Sequence, residues 1–185
     1  MDAARAAAAP GMLIRNASTD DAAAIAGIYA HFVRTSVATF EEMPPDEEEM
    51  RLRIDRVQTA GLPWRVLLAD DGVLAAYAYA APYRTRSAYR HTLENSVYVS
   101  PDHARRGFGV AVMRDVIGAC AALGYRQMLA VIGDSANAAS IGLHERLGFR
   151  LVGVHPAIGF KFGRWVDVVH MQLALGEGAR APPAA

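Results

Sequence analysis

The stretch VYVSPDHARRGFGVAVM, residues 97 to 113, carries the most chemical information in this chain. A strand-like segment passes through a proline and the pair Arg105 and Arg106 into Gly107-Phe108-Gly109, and a helical pattern follows. Such a turn builds an anion site. The first N–H groups of a helix lack intrahelical partners, the helix dipole is positive there, and glycine lets a phosphate approach the main chain. A loop that uses glycine only to turn has the same composition, and both readings stand at this point. Two commoner phosphate motifs do not fit. A P-loop ends in Gly-Lys-Ser/Thr, which is absent. A dinucleotide fingerprint wants a third small residue where Val112 stands, and an acidic residue where the next strand ends in Ile132 and Gly133. Upstream, PYRTRSAYR gathers Arg84, Arg86, Tyr89 and Arg90. Arginines beside an aromatic ring suit a carboxylate plus a second anionic or strongly polar group, as a small zwitterionic amino acid presents; a solvated basic loop looks alike.

The chain that must position these groups has 185 residues, 52% apolar and 21% charged, which fits one globular domain. Nineteen basic side chains balance nineteen acidic ones, so no overall field attracts nucleic acid or anionic lipid. The lone Cys120 excludes an internal disulfide framework and a Cys-based zinc site, and it fits a reducing, cytoplasmic compartment; no metal is expected. No apolar run approaches the roughly 20 residues of a membrane span, and Asp2 and Arg5 among alanines do not make a signal core. Residues 1–10 and 176–185 lack large side chains and are expected to be disordered tails around a single domain at 11–175.

Hydrophobic periodicity gives the elements. MLIR reads as a strand, Ile25, Ile28, Tyr29, Phe32 and Val33 as one helical face, and DEEEMRLRIDRVQTAG as a helix whose carboxylates sit in the first turn, where the dipole favours them. WRVLLAD and VLAAYAYAAPY flank Asp70-Asp71-Gly72 as a hairpin, and SVYVS follows as a third strand with Glu94 just before it. Val112, Met113, Val116, Cys120 and Leu123 share a helical face that stops at Gly124. QMLAVIG is a strand, NAASIGLHERLGF a helix, and RLVGVHPAIGFKFGRWVDVVHMQLAL two closing strands joined at Gly163 and Arg164. The order βααβββαβαββ contains one βαβ crossover, so the fold class is α/β with a mixed sheet.

The run Val97–Met113, together with ANAASIGLHERLGF, resembles the coenzyme A pyrophosphate loop and following helix of the GNAT superfamily of N-acetyltransferases. The family pattern is Gln/Arg-x-x-Gly-x-Gly/Ala, and Ala104 stands where Gln or Arg is usual. TSVATFEE, AAPYRTRSAYRHTLENSVYVSP, AVIGDSANAASIGLHERLGF and GFKFGRWVDVV narrow the resemblance to the phosphinothricin and methionine sulfone or sulfoximine N-acetyltransferases, over about residues 12–174.

The resemblance implies a GNAT fold, acetyl-CoA as co-substrate, and acetylation of the α-amino group of a small amino acid analogue. It assigns Glu94 as general base and His144 as proton donor to the leaving thiolate, where many GNAT enzymes have tyrosine. It assigns Val97, Tyr98, Val99 and Asn137 to the pantetheine arm, and Ala104, Arg105, Arg106, Gly107, Phe108, Gly109 and Val110 to the pyrophosphate. Phe40, Arg84, Arg86 and Tyr89 become substrate contacts. Read without it, Glu94 is a surface carboxylate at a strand edge, Val97–Val99 and Phe40 are core, His144 packs on its helix, and Asn137 is an N-cap. Direct attack is expected over a covalent intermediate, because Cys120 lies on an apolar helix face away from any activating base. Lys161 and Trp165 read as structural or interfacial, and the relatives imply a homodimer. Acetylation of a protein N-terminus or another amine, and a non-catalytic acyl-CoA-binding module, are the alternatives.

Overall fold

The computed structural model describes residues 12–183. Its principal elements are β1 (Leu13–Asn16), α1 (Ala22–Thr35), α2 (Glu47–Thr59), β2 (Trp64–Leu68), β3 (Leu74–Pro82), β4 (Thr92–Val99), α3 (Phe108–Ala122), β5 (Gln127–Gly133), α4 (Ala138–Arg146), β6 (Arg150–Lys161) and β7 (Arg164–Ala174). This is the order expected from periodicity, with three short 3-10 turns added. The expected N-terminal tail lies outside the described residues. Residues 176–179 form turns, and Arg126 donates to the Pro182 carbonyl at 3.1 Å.

Seven strands make one sheet in the order β1-β2-β3-β4-β5-β7-β6, and only the β4–β5 pair is parallel. The closing hairpin therefore inserts its second strand beside β5 and leaves β6 at the edge. Sequence order predicts adjacency within the hairpin but not which of its strands faces inward.

Helices cover both faces. On one, Val112, Met113, Val116 and Cys120 of α3 are buried against Ala76, Ala78 and Ala80 of β3, whose short side chains bring the helix close to the sheet. Leu123, expected on the same face, lies beyond the last turn of α3 and is 55% exposed. On the other face, Ile25, Tyr29 and Val33 of α1 and Met50 and Ile54 of α2 pack on Trp64, Val66 and Tyr77. Asp46 caps α2 by accepting the Glu49 N–H at 2.8 Å, ahead of three glutamates in the first turn.

Two expectations are corrected. The β6–β7 loop is Phe162-Gly163, both at positive φ, rather than Gly163-Arg164; this pattern suits a type I′ turn, and Lys161 pairs with Arg164 across it. Glu94 lies inside β4, paired with Ala81 on one side and Leu129 on the other, rather than ahead of the strand or at an edge. Backbone pairing begins at Thr92, before the apolar run that marked the strand in the sequence.

Candidate active site

The parallel pairing of β4 with β5 covers only Thr92–Asn95 against Gln127–Ala130. Beyond it β5 continues with β7 as far as Gly133, and the stretch Ser96–Val99 keeps β3 as its only partner. The two strands part, and a cavity of about 640 Å³ opens between them. That volume lies within the usual range for small-molecule sites. Asn95 holds the last pair closed: it is buried, and its Nδ2 donates to the Leu129 carbonyl at 2.9 Å.

Strand alternation distributes the side chains of β4. Val97 and Val99 pack into the core beneath α3, and Tyr98 packs with α1, edge-on to Tyr29 at 5.1 Å. Glu94 shares the face of Ser96 and Tyr98, and Asn95 the face of Val97 and Val99. The cavity thus receives Glu94 from the α1–α2 side of the sheet and Asn95 from the α3–α4 side.

The start of α3 lies outside the cavity lining and packs through Gly109 against Val99 and Leu143, which do line it. Gly107, at φ 83°, takes the left-handed conformation that a side chain resists, and its carbonyl accepts the first helical bond, from Ala111 at 3.0 Å. The N–H groups of Phe108, Gly109 and Val110 therefore have no intrahelical partner. Gly109 fits under α4 because a Cβ there would stand 2.7 Å from a Leu143 methyl and 3.1 Å from Val99. Arg105 also has positive φ, and Arg106 lies over the Phe108 ring at 4.8 Å; both are exposed. The Ala104 N–H is already bonded to the Pro101 carbonyl within the turn.

Glu94 is half-buried, and burial raises its pKa while the nearby Arg84 charge opposes the rise. Of the four arginine-cluster residues, Arg84 is the one whose charge reaches Glu94; Arg84 itself stacks on Tyr83 at 5.0 Å. Arg84, Arg86 and Tyr89 are exposed on the β3–β4 loop, outside the cavity lining. Phe40 lines the cavity from the α1–α2 loop and is 41% exposed, so it is not core.

His144 is 2% exposed, and its Nδ1 lies 2.8 Å from the Ser140 carbonyl and its Nε2 3.0 Å from Asn95 Oδ1. A carbonyl only accepts, and Asn95 has committed its Nδ2 to Leu129, so both ring nitrogens face acceptors. A neutral imidazole satisfies one of them; the imidazolium satisfies both. Burial opposes the charge and lowers the pKa. The ring therefore faces two acceptors while burial disfavours its cation. Asn137 behaves as an N-cap, accepting from Ser140 N–H at 3.1 Å and donating to the Gly133 carbonyl at 3.3 Å, which leaves one amide hydrogen for any ligand.

Cys120 is fully buried in the core and burial pushes its thiol up to about 12, so it supplies no nucleophile. Among the described residues, no three His, Cys, Asp or Glu side chains gather to hold a metal ion, and no helix is long and apolar enough to cross a membrane. Asn95 had no signal in the sequence beyond its place after Glu94. A side chain that ties strand to helix is visible only once both are placed.

Over residues 25–149 the chain matches the Acetyltransferase (GNAT) family. The chain belongs to the GNAT acetyltransferase family. This GNAT enzyme is 50% identical over 171 residues to a phosphinothricin N-acetyltransferase of Alcaligenes faecalis, covering 92% of this chain and 86% of the relative. It is 39% identical over 171 residues to an L-methionine sulfoximine/L-methionine sulfone acetyltransferase of Pseudomonas aeruginosa, covering 91% and 98%. A crystal structure of a phosphinothricin acetyltransferase from Sinorhizobium meliloti in complex with acetyl-CoA superimposes with a TM-score of 0.90 at 44% identity, covering 94% of this chain and 93% of that one. The parted β4 and β5, the glycine turn and the two-sided cavity are the parts of this GNAT fold that bear on chemistry.

Proposed function

We propose that this enzyme transfers the acetyl group of acetyl-CoA to the α-amino group of a small amino acid analogue, with phosphinothricin, methionine sulfoximine and methionine sulfone as the acceptor class. The observation that carries the reading is the parting of β4 from β5 at Asn95, with a carboxylate on one face and a histidine on the other. The two substrates of an acyl transfer must meet from different sides, and the gap gives each a side.

The pyrophosphate of coenzyme A suits the turn Ala104–Gly107 and the free N–H groups of Phe108, Gly109 and Val110, with Arg105 and Arg106 adding charge. The amide-bearing pantetheine arm suits the unpaired edge of β4 at Val97, Tyr98 and Val99 and the spare hydrogen of Asn137. The acceptor lies against Phe40, with its charged end toward Arg84, Arg86 and Tyr89 on the loop above. Glu94, held weakly acidic by burial, takes a proton from the ammonium group, directly or through water. The amine attacks the thioester carbonyl, the C–N bond forms, the C–S bond breaks, and the new amide nitrogen releases its remaining extra proton to water. The thiolate leaves with a proton from His144 Nε2, and Asn95 keeps the ring aligned until then.

We further propose a homodimer formed through β6, in a cytoplasmic setting that suits a single unpaired cysteine. β6 is an edge strand of twelve residues with apolar side chains exposed on both faces: Leu151, Val152, Val154, Ile158 and Phe160 are 45–64% exposed, and Trp165 on β7 meets Phe160 edge-on. An open apolar edge of this length pairs indiscriminately unless covered, and a second copy offers the same pattern about a two-fold axis. Trp165→Glu should convert the dimer to a monomer in light scattering; a wild-type monomer would remove the dimer.

The activity test is thiol release from acetyl-CoA against methionine sulfone, methionine sulfoximine, phosphinothricin, spermidine, an Ala-starting peptide and no acceptor. Turnover confined to the first three supports the assignment. Turnover on the peptide or spermidine reassigns the acceptor, and thermal stabilisation by acetyl-CoA without turnover would leave a binding module.

A further inference from the structure

The structure assigns Lys161 as a positioning residue for the acceptor side of the cavity. Lys161 is 2% exposed, although it sits at the tip of the β6–β7 hairpin. Its Nζ donates to the Ser36 carbonyl at 2.9 Å and to the Thr39 carbonyl at 2.8 Å, and lies 4.9 Å from the Phe162 ring. It makes no ion pair among the described residues. Burial lowers the pKa of the ammonium while the charges of Glu42 and Glu41 oppose the fall, and its charge-assisted bonds to the two carbonyls hold the loop Ser36–Phe40 more firmly than neutral hydrogen bonds would.

That loop carries Phe40. Two glycines receive it: a Cβ on Gly159 would collide with the Phe40 ring, and a Cβ on Gly133 would collide with the Val37 carbonyl and crowd the same ring. The opposite flank of the loop is tied to the helices, through Thr39 and Glu41 to the Tyr29 hydroxyl at 2.7 and 2.9 Å and through Arg53 to Glu41 at 2.7 Å. On the sheet side Lys161 supplies the polar hold. The position of Phe40, and with it the length of side chain the acceptor can present, is therefore set from the hairpin, 122 residues away in sequence from the Thr39 carbonyl it grips. The chemical class selected is a small amino acid whose side chain ends against that ring.

This proposal rests on the acetyl-transfer reading, so wild-type enzyme is assayed first on S-methylcysteine sulfone, methionine sulfone and ethionine sulfone, acceptors that differ by one methylene. Lys161→Met should raise the KM for methionine sulfone by about tenfold and flatten the preference among the three. The KM for acetyl-CoA should stay within about twofold, since misplacing one positioning element by about 1 Å costs up to roughly a hundredfold at the group it places. Lys161→Arg, which keeps the charge and the donors, should recover part of the discrimination. The effects of Lys161→Met and Phe40→Ala on acceptor KM should fall short of additive, because one acts through the other. If Lys161→Met does not fold, Gly159→Ala displaces the Phe40 ring without touching the ammonium and should flatten the same preference. Unchanged discrimination in the folded variants, additive effects, or an equal rise in both KM values would overturn the positioning role while leaving the activity intact. A wild-type enzyme without turnover on any amino acid would remove the activity reading and this proposal with it.

Discussion

Replacing Glu94 by glutamine keeps the shape of the side chain and its place in the centre of the sheet, and removes the base. General base catalysis is worth about 10²–10⁴ in rate, or roughly 3–5 kcal/mol of barrier at about 1.4 kcal/mol per decade. The geometry around the residue predicts how that loss varies with pH. Burial raises the Glu94 pKa and Arg84 partly restrains it, so the acid limb of kcat/KM in the wild type should lie above the ordinary carboxylate range. In Glu94→Gln that limb should vanish, leaving a rate that climbs with the fraction of free amine and closes on wild type at alkaline pH. The same shift bears on stability. A carboxyl whose folded pKa is raised contributes stability that is fully present below the unfolded pKa and is lost as pH rises through the folded value. The melting temperature of Glu94→Gln should therefore gain on that of wild type between acidic and neutral pH. Stopped-assay pH profiles and scanning calorimetry on the two proteins read both effects. A variant within about threefold of wild type at pH 7, well short of the loss expected of a general base, or a rate gap that stays constant with pH, would refute the role of Glu94 and send the amine proton to solvent.

Arg84→Met removes the charge that restrains Glu94, so the acid limb of kcat/KM should move to higher pH; a limb that stays or moves down contradicts the electrostatic link. Cys120→Ala should keep kcat within about twofold and cost on the order of 1 kcal/mol of stability through a small cavity, whereas loss of turnover in a folded variant would revive a covalent intermediate. Gly109→Val forces a branched side chain against Leu143 and Val99. It should cost about 1–3 kcal/mol by overpacking, at roughly 2–4 °C in Tm for each kcal/mol in a domain of this size, and raise the KM for acetyl-CoA; an unchanged KM would place the cofactor elsewhere.

The hydrophobic spacing alone determined the order of strands and helices, the mixed sheet and the glycine turn ahead of α3, because periodicity and turn chemistry are local properties of the chain. The glycine turn at Gly107 carries its signal within a few residues, whereas Glu94 and His144 became candidates only through the resemblance to the family. The tertiary structure decided what depends on contacts between distant segments. It placed Glu94 inside a strand and between neighbours, since backbone pairing reaches past the apolar run. It put β7 rather than β6 beside β5, parted β4 from β5 at Asn95, and set His144 between two acceptors 4 and 49 residues away. It also left Arg86 and Tyr89 exposed on a loop and buried Lys161, which the sequence read as structural or interfacial, beneath the loop that carries Phe40. Burial and hydrogen-bond partnership arise only when the chain closes on itself, and no spacing pattern along it encodes them.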